Sequence, residues 1–153
     1  MLRINKRTEY AVRVMSSLAG QLTGVRLPTR IIEKQMLIPR PFLIRVVSDL
    51  SRSGLIKSYP GRNGGLVLAR AADEISLQDI YEAVEGYLRL FDCTERPEKC
   101  PLNYGCMIRL SFCQLQSRLI AELAGIPLSQ LAFELSTNEN SLPIQIFETI
   151  ENG

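Results

Sequence analysis

The chain contains no histidine. That removes the commonest side chain for general acid–base work and rules out mixed Cys/His zinc sites and Rieske-type iron ligation. No other catalytic constellation takes its place, so the sequence is not expected to encode an enzyme. No apolar run approaches the roughly eighteen residues of a membrane span. The opening MLRINKRTEYAVRVM is basic and then alternates polar and apolar residues, without the unbroken apolar segment and small-residue cleavage site of a secretory leader. The expectation is a cytoplasmic chain in a reducing compartment, where clustered cysteines bind metal or react more often than they pair. There is no internal repeat and no low-complexity run. Acidic residues are scarce in one half only. Residues 1–70 hold thirteen Lys/Arg against three Asp/Glu, a net +10, whereas residues 71–153 hold five against thirteen, a net −8; the overall +2 conceals both.

What is present reads as a small, mainly helical protein. Its 153 residues, 46% of them apolar, are enough for one domain with an extension. In NKRTEYAVRVMSSLAG, residues Tyr10, Ala11, Val14, Met15 and Leu18 fall on one helical stripe and Gly20 is a stop. Thr29 is expected to N-cap a short helix running to about Gln35. Ile38-Pro39-Arg40-Pro41 is a turn, and Pro41 fits the first turn of the next helix because its missing N–H is not needed there. That helix, PFLIRVVSDLSRSG, is predicted to turn Phe42, Leu43, Val46, Val47 and Leu50 inward and to stop at Gly54. Two helices joined by a tight turn predict a helix-turn-helix. Two β-prone runs, 55–58 and 66–68, flank Pro-Gly-Arg-Asn-Gly-Gly and predict a hairpin placed as a wing; an α/β fragment without a nucleic-acid role is the alternative.

Downstream, Ser76 with Asp79 forms a capping-box pattern that predicts a helix over 77–85. CMIRLSFCQLQSRLIAELAG predicts the longest helix, with Ile108, Phe112, Leu115, Leu119 and Leu123 at heptad-like spacing. Such a seam serves self-association or packing against the first helix, and different faces can do both. A short helix near 129–134 and a polar tail complete the chain. The expected fold class is mainly α with a small β-wing: a winged helix-turn-helix plus a long dimerisation helix. The segments are a DNA-binding region (1–72), a connecting helix and cysteine loop (73–106), a dimerisation helix making a homodimer (107–125), and a short helix with a C-terminal tail (126–153).

The basic half then has a partner, a double-stranded DNA operator, because cationic side chains gain affinity by releasing counterions from phosphates. The second helix of such a unit meets the major groove with its first residues. Here those are Arg40, Pro41 and, one turn on, Arg45. Arginine binds guanine O6 and N7 in parallel or binds phosphate, and the sequence leaves both roles open. Thr29 and Arg30 are placed for backbone phosphates. Arg62 and Asn63 sit at the wing tip, where an arginine can enter a narrow minor groove. Arg52 and Lys57 are general phosphate or solvated charges.

The stretch DCTERPEKCPLNYGC concentrates Cys93, Cys100 and Cys106 among polar residues. Structural zinc sites use close ligand pairs, which this spacing lacks. Cys113 follows Cys106 by seven residues, roughly 10 Å along one helix, and is read as packing. Three thiolates on a loop, with one position left for an oxygen ligand or a small molecule, suit an iron–sulfur cluster, whose binding would also order so polar a segment.

NKRTEYAVRVMSSLA, PFLIRVVSDLSRSGLIKSYPGRNGGLVLAR, SLQDIYEAVEG and the three-cysteine loop together resemble the Rrf-type winged-helix regulators of the IscR- and NsrR-like group, over residues 1 to about 135. The resemblance implies a homodimer that crosses its long helices on a partly palindromic operator, and a 2Fe-2S or 4Fe-4S cluster whose state sets DNA affinity. IscR-like members take a histidine three residues after the last cysteine as fourth ligand; Arg109 stands there. NsrR-like members use an acidic residue of the first helix, reaching across from the partner subunit; Glu9 matches that position. An i,i+4 ion pair with Arg13 is the structural alternative for Glu9. In the wing, Pro60 occupies the site where relatives often carry arginine, with Arg62 two residues later. The expected function is a repressor responsive to nitric oxide, redox state or iron supply. The alternatives are a cluster-free thiol switch at Cys93 or Cys100, where Lys99 favours a thiolate, and a small electron carrier, which would leave the basic half without a purpose.

Overall fold

The computed structural model describes residues 5–90, 96–101 and 105–133. The first helix, α1 (Lys6–Ala19), is capped by the Asn5 side chain, which accepts from the Arg7 N–H. Its Ala11, Val14, Met15 and Leu18 are buried, as the stripe predicts, and Tyr10 packs at the edge. Residue Leu27 then exchanges two backbone hydrogen bonds with Leu66, at 3.0 and 2.9 Å. Helix α2 (Thr29–Gln35) follows. Thr29 is not its cap, as expected from sequence, but its first residue; Pro28, extended and without a side-chain bond, holds the cap position. Helix α3 (Arg40–Arg52) starts with Pro41 in its first turn.

α3 ends in a tight hydrogen-bonded reversal. The Gly54 N–H donates to the Ser51 carbonyl (3.1 Å) and the Leu55 N–H to the Leu50 carbonyl (3.0 Å), with Gly54 at φ 75°. This is the pairing that satisfies the last carbonyls of a helix, and Leu50 and Leu55 are both buried beneath it. The wing is the antiparallel pair β1 (Ile56–Tyr59) and β2 (Gly65–Leu68), in register Ile56 with Leu68 through Tyr59 with Gly65. Through Leu27 the hairpin is tied to the residue preceding α2.

A 3₁₀ turn (Ala72–Glu74) leads to α4 (Leu77–Glu85), whose capping box at Ser76 and Asp79 is complete. α4 packs on α1 and α3. The long helix α5 (Met107–Ala124) buries no residue fully and rests chiefly on α4. The last described element is a 3₁₀ turn, Leu128–Leu131, in place of the expected helix; the tail from 134 on lies outside the described residues. Among the described residues no helix is long and apolar enough to cross a membrane.

Candidate nucleic-acid interface and cysteine loop

α2, α3 and the wing enclose one open cleft of about 500 Å3, lined by Thr29, Arg30, Arg40 and Arg62, whose arginines outnumber the single acidic residue, Glu33, with Ser58–Gly61, Gly64 and Gly65 of the wing completing its wall. Four of the seven residues chosen from sequence for DNA contact thus share one surface. Pro41 and Asn63 are exposed nearby. Arg45 lies on the flank of α3, in a second cleft of about 530 Å3 that also holds Arg7, Ser48 and Arg52.

α3 is fixed by an ion pair that the sequence did not announce. Asp49 is buried on α3, and Arg7 of α1 donates to its Oδ2 through Nε at 3.1 Å and through Nη2. Arg52 is more distant from the same carboxylate, at 3.7 Å. Removing Arg7 leaves a buried carboxylate poorly satisfied. Arg7 is itself partly exposed, which screens the pair. Arg7→Ala is therefore expected to lower unfolding free energy by about 1–3 kcal/mol, read from urea denaturation.

A second missed residue, Arg26, braces the wing. Its guanidinium lies 4.0 Å over the Tyr59 ring and donates to the Asn63 carbonyl at 3.3 Å. Stacking of this kind orders a cation that would otherwise be loose. Phe42, expected inward, is 43% exposed; it meets the Tyr10 ring edge-on at 5.5 Å, at the rim of the core.

Glu9 stands on the outer side of α1, between Lys6 (2.7 Å) and Arg13. The hydrogen bond from Lys6 and the charge of Arg13 hold its carboxyl below the usual carboxylate range against the opposing effect of burial. The i,i+4 pair is present. Arg13 also donates to the Met36 carbonyl at the end of α2, at 3.0 Å.

Cys100 follows the 3₁₀ turn Pro97–Lys99. Cys106, the last residue of the expected loop, is the N-cap of α5, extended, with no side-chain cap bond. Cys100, Cys106 and Cys113 are free thiols, each half-buried. Cys93 lies outside the described residues, and among those described no three His, Cys, Asp or Glu side chains are grouped to hold a metal. The thiols that are described match the chemistry of a cluster. A helix start carries partial positive charge and unsatisfied N–H groups, a setting that suits an anionic group bound beside it.

The expected seam on α5 divides. Phe112, Leu119 and Leu123 are half-buried, on the helix that rests on α4, and the Gln116 Oε1 accepts from the Leu90 N–H at 3.0 Å. Ile108 and Leu115 are 64% and 51% exposed, beside exposed Met107 and Leu110.

Known proteins share these features. Residues 4–134 match the family model described as Rrf2, iron-dependent transcriptional regulator. Protein aau3 of Rhizobium meliloti is 30% identical over 132 residues, 85% of this chain and 84% of that protein. The HTH-type transcriptional regulator NsrR of Shouchella clausii is 28% identical over 109 residues, 71% of this chain and 73% of that one. The fold is that of CymR, the global cysteine regulator of B. subtilis (TM-score 0.68, 24% identity, 86% of this chain and 97% of that one). It is equally that of IscR from T. potens (TM-score 0.68, 23% identity, 85% and 86%). The winged helix-turn-helix, its basic cleft and the match over nearly the whole described chain place this protein in the Rrf2 family of DNA-binding transcriptional regulators.

Proposed function

We propose that the chain acts as a homodimeric repressor whose operator affinity is set by an iron–sulfur cluster held by Cys93, Cys100 and Cys106, with Glu9 contributed across the dimer. Residues 1–72 meet the duplex through Thr29, Arg30, Arg40, Pro41, Arg45, Arg62 and Asn63, and residues 107–125 join the two copies. The observation that carries the cluster reading is the place of Cys106: a free thiol at the positively polarised start of the longest helix, six residues after a second free thiol. A bound cluster would supply a centre reactive toward nitric oxide and oxidants. The chain supplies the linkage. Cys106 sits at the start of α5, α5 lies on α4, and α4 packs on α1 and α3, so a restraint on the loop bears on the reading helix through packed elements. Glu9 must exchange Lys6 and Arg13 to serve as a ligand, and Arg13 in turn holds the end of α2.

Protein prepared without oxygen is expected to be brown, to contain iron and sulfide, and to lose both in Cys100→Ala and Cys106→Ala, while the two variants keep the wild-type helical signal in circular dichroism. A Cys100→Ala protein with undiminished iron and an unchanged response of DNA binding to nitric oxide contradicts the proposal. Colourless wild-type protein with titratable thiols points to the second reading, direct thiol oxidation, for which the half-exposed Cys100 next to Lys99 is the favouring observation.

A further inference from the structure

We propose that Ile44 reads the 5-methyl group of a thymine in the major groove and so fixes an A·T pair in each operator half-site; the inference rests on α3 being the reading helix. α3 buries Leu43, Val46, Asp49 and Leu50. Its opposite stripe, Arg40, Ile44, Ser48 and Arg52, repeats every four residues and is exposed throughout. In that polar stripe Ile44 is the exception, an aliphatic side chain 61% exposed. Helix propensity does not account for it, because a β-branched residue loses χ1 freedom in a helix and ranks below Leu, Arg or Lys. The other large exposed hydrophobic side chain of α3, Phe42, is engaged with the Tyr10 ring.

Ile44 opens into the same cleft as Arg45, Ser48 and Arg52. The acidic group there, Asp49, is neutralised by Arg7 and Arg52, so the cleft does not repel a polyanion. Ile44 is also the fifth residue of α3, one turn past Arg40, within the helix portion that reaches base edges. Of the four bases only thymine presents an apolar group in the major groove, its C5-methyl. Groups that bind phosphate or guanine flank the isoleucine, and a methyl group is what the isoleucine itself can match.

The test uses the full chain prepared without oxygen and a duplex selected by it from a random pool. Each thymine of that duplex is replaced singly by deoxyuracil and binding is followed by fluorescence anisotropy. One thymine per half-site is expected to cost about four-fold in Kd when demethylated, the effect of burying a single methyl group. Ile44→Ala, which changes both half-sites of the proposed dimer, should lose roughly sixteen-fold on the thymine duplex, four-fold for each contact, with no further loss when that thymine is replaced by uracil. Its unfolding midpoint should match wild type, and its salt dependence should be unchanged because no phosphate contact is removed. Ile44→Ser provides a second variant with the same expected pattern. If no single uracil weakens binding, or if the same thymine matters equally to Ile44→Ala, the inference is overturned while DNA binding stands. A selection that returns no preferred sequence overturns the inference and the reading of α3 together.

Discussion

An Ile108→Asp, Leu115→Asp variant will sediment as a monomer and bind its operator about 10²–10⁴-fold more weakly than wild type, the advantage lost when two linked sites become one. Both residues lie on the solvent side of α5, more than half exposed, with Met107 and Leu110 beside them. α5 buries none of its side chains fully within one copy, so the apolar residues that face away from α4 gain burial only from a second surface. Each aliphatic side chain covered by a partner contributes about 1.5–3 kcal/mol, and a two-fold interface contains each one twice. The substitution removes those contributions and sets carboxylates against each other. Since neither residue supports the core of a single copy, the helical circular dichroism signal of the full-length variant should change little. Analytical ultracentrifugation and a binding titration check both halves of the expectation; a variant that stays dimeric would show that the copies meet elsewhere.

The second large effect belongs to the wing. Gly64→Ala is expected to weaken operator binding by about ten- to a hundred-fold, corresponding to about 1–3 kcal/mol of backbone strain and lost wing contact. A β-carbon at Gly64 would lie 2.1 Å from the Tyr59 carbonyl oxygen and 2.8 Å from Pro60 backbone atoms. Those neighbours are main chain, so no flexible side chain can move aside. Gly64 also closes the turn with its N–H to the Gly61 carbonyl, at 3.0 Å. Opening the turn displaces Arg62 from the basic cleft. Gly61 is the useful comparison, because a β-carbon there meets nothing within 4 Å and only its φ of 94° opposes alanine; Gly61→Ala should be the milder change. Unaltered operator affinity in Gly64→Ala, with the helical circular dichroism signal retained, would exclude the wing from the interface.

Much of the winged helix-turn-helix was legible because its punctuation is local. Pro41, Gly54, the Pro-Gly-Arg-Asn-Gly-Gly run and the Ser76 capping box each act within a few residues, and each falls where its chemistry requires. The misses have tertiary causes. Thr29 has the right side chain for a cap, but the pairing of Leu27 with Leu66 delivers the chain already extended at Pro28, and the helix starts one residue earlier than the cap rule implies. The Arg7–Asp49 pair spans 42 positions, and Arg26 reaches Asn63 across 37; no periodicity announces either. Phe42 has the phase of a core residue, yet Tyr10 covers only one edge of it. In α5 the heptad spacing was readable while the division of its seam between α4 and solvent was not, because that depends on where α4 lies. Cys93 is outside the described residues, so the three-thiol set stays a reading of spacing and of family.

The two backbone hydrogen bonds between Leu27 and Leu66 have a mechanical consequence. They stitch the hairpin to the lead-in of α2, while the Leu50–Leu55 closure welds it to the end of α3. Hairpin and helices then turn as a single stiff block with no hinge between them. In the proposed dimer two such blocks would be tuned by the pitch and distance between them, as calipers are, rather than by a change within either block.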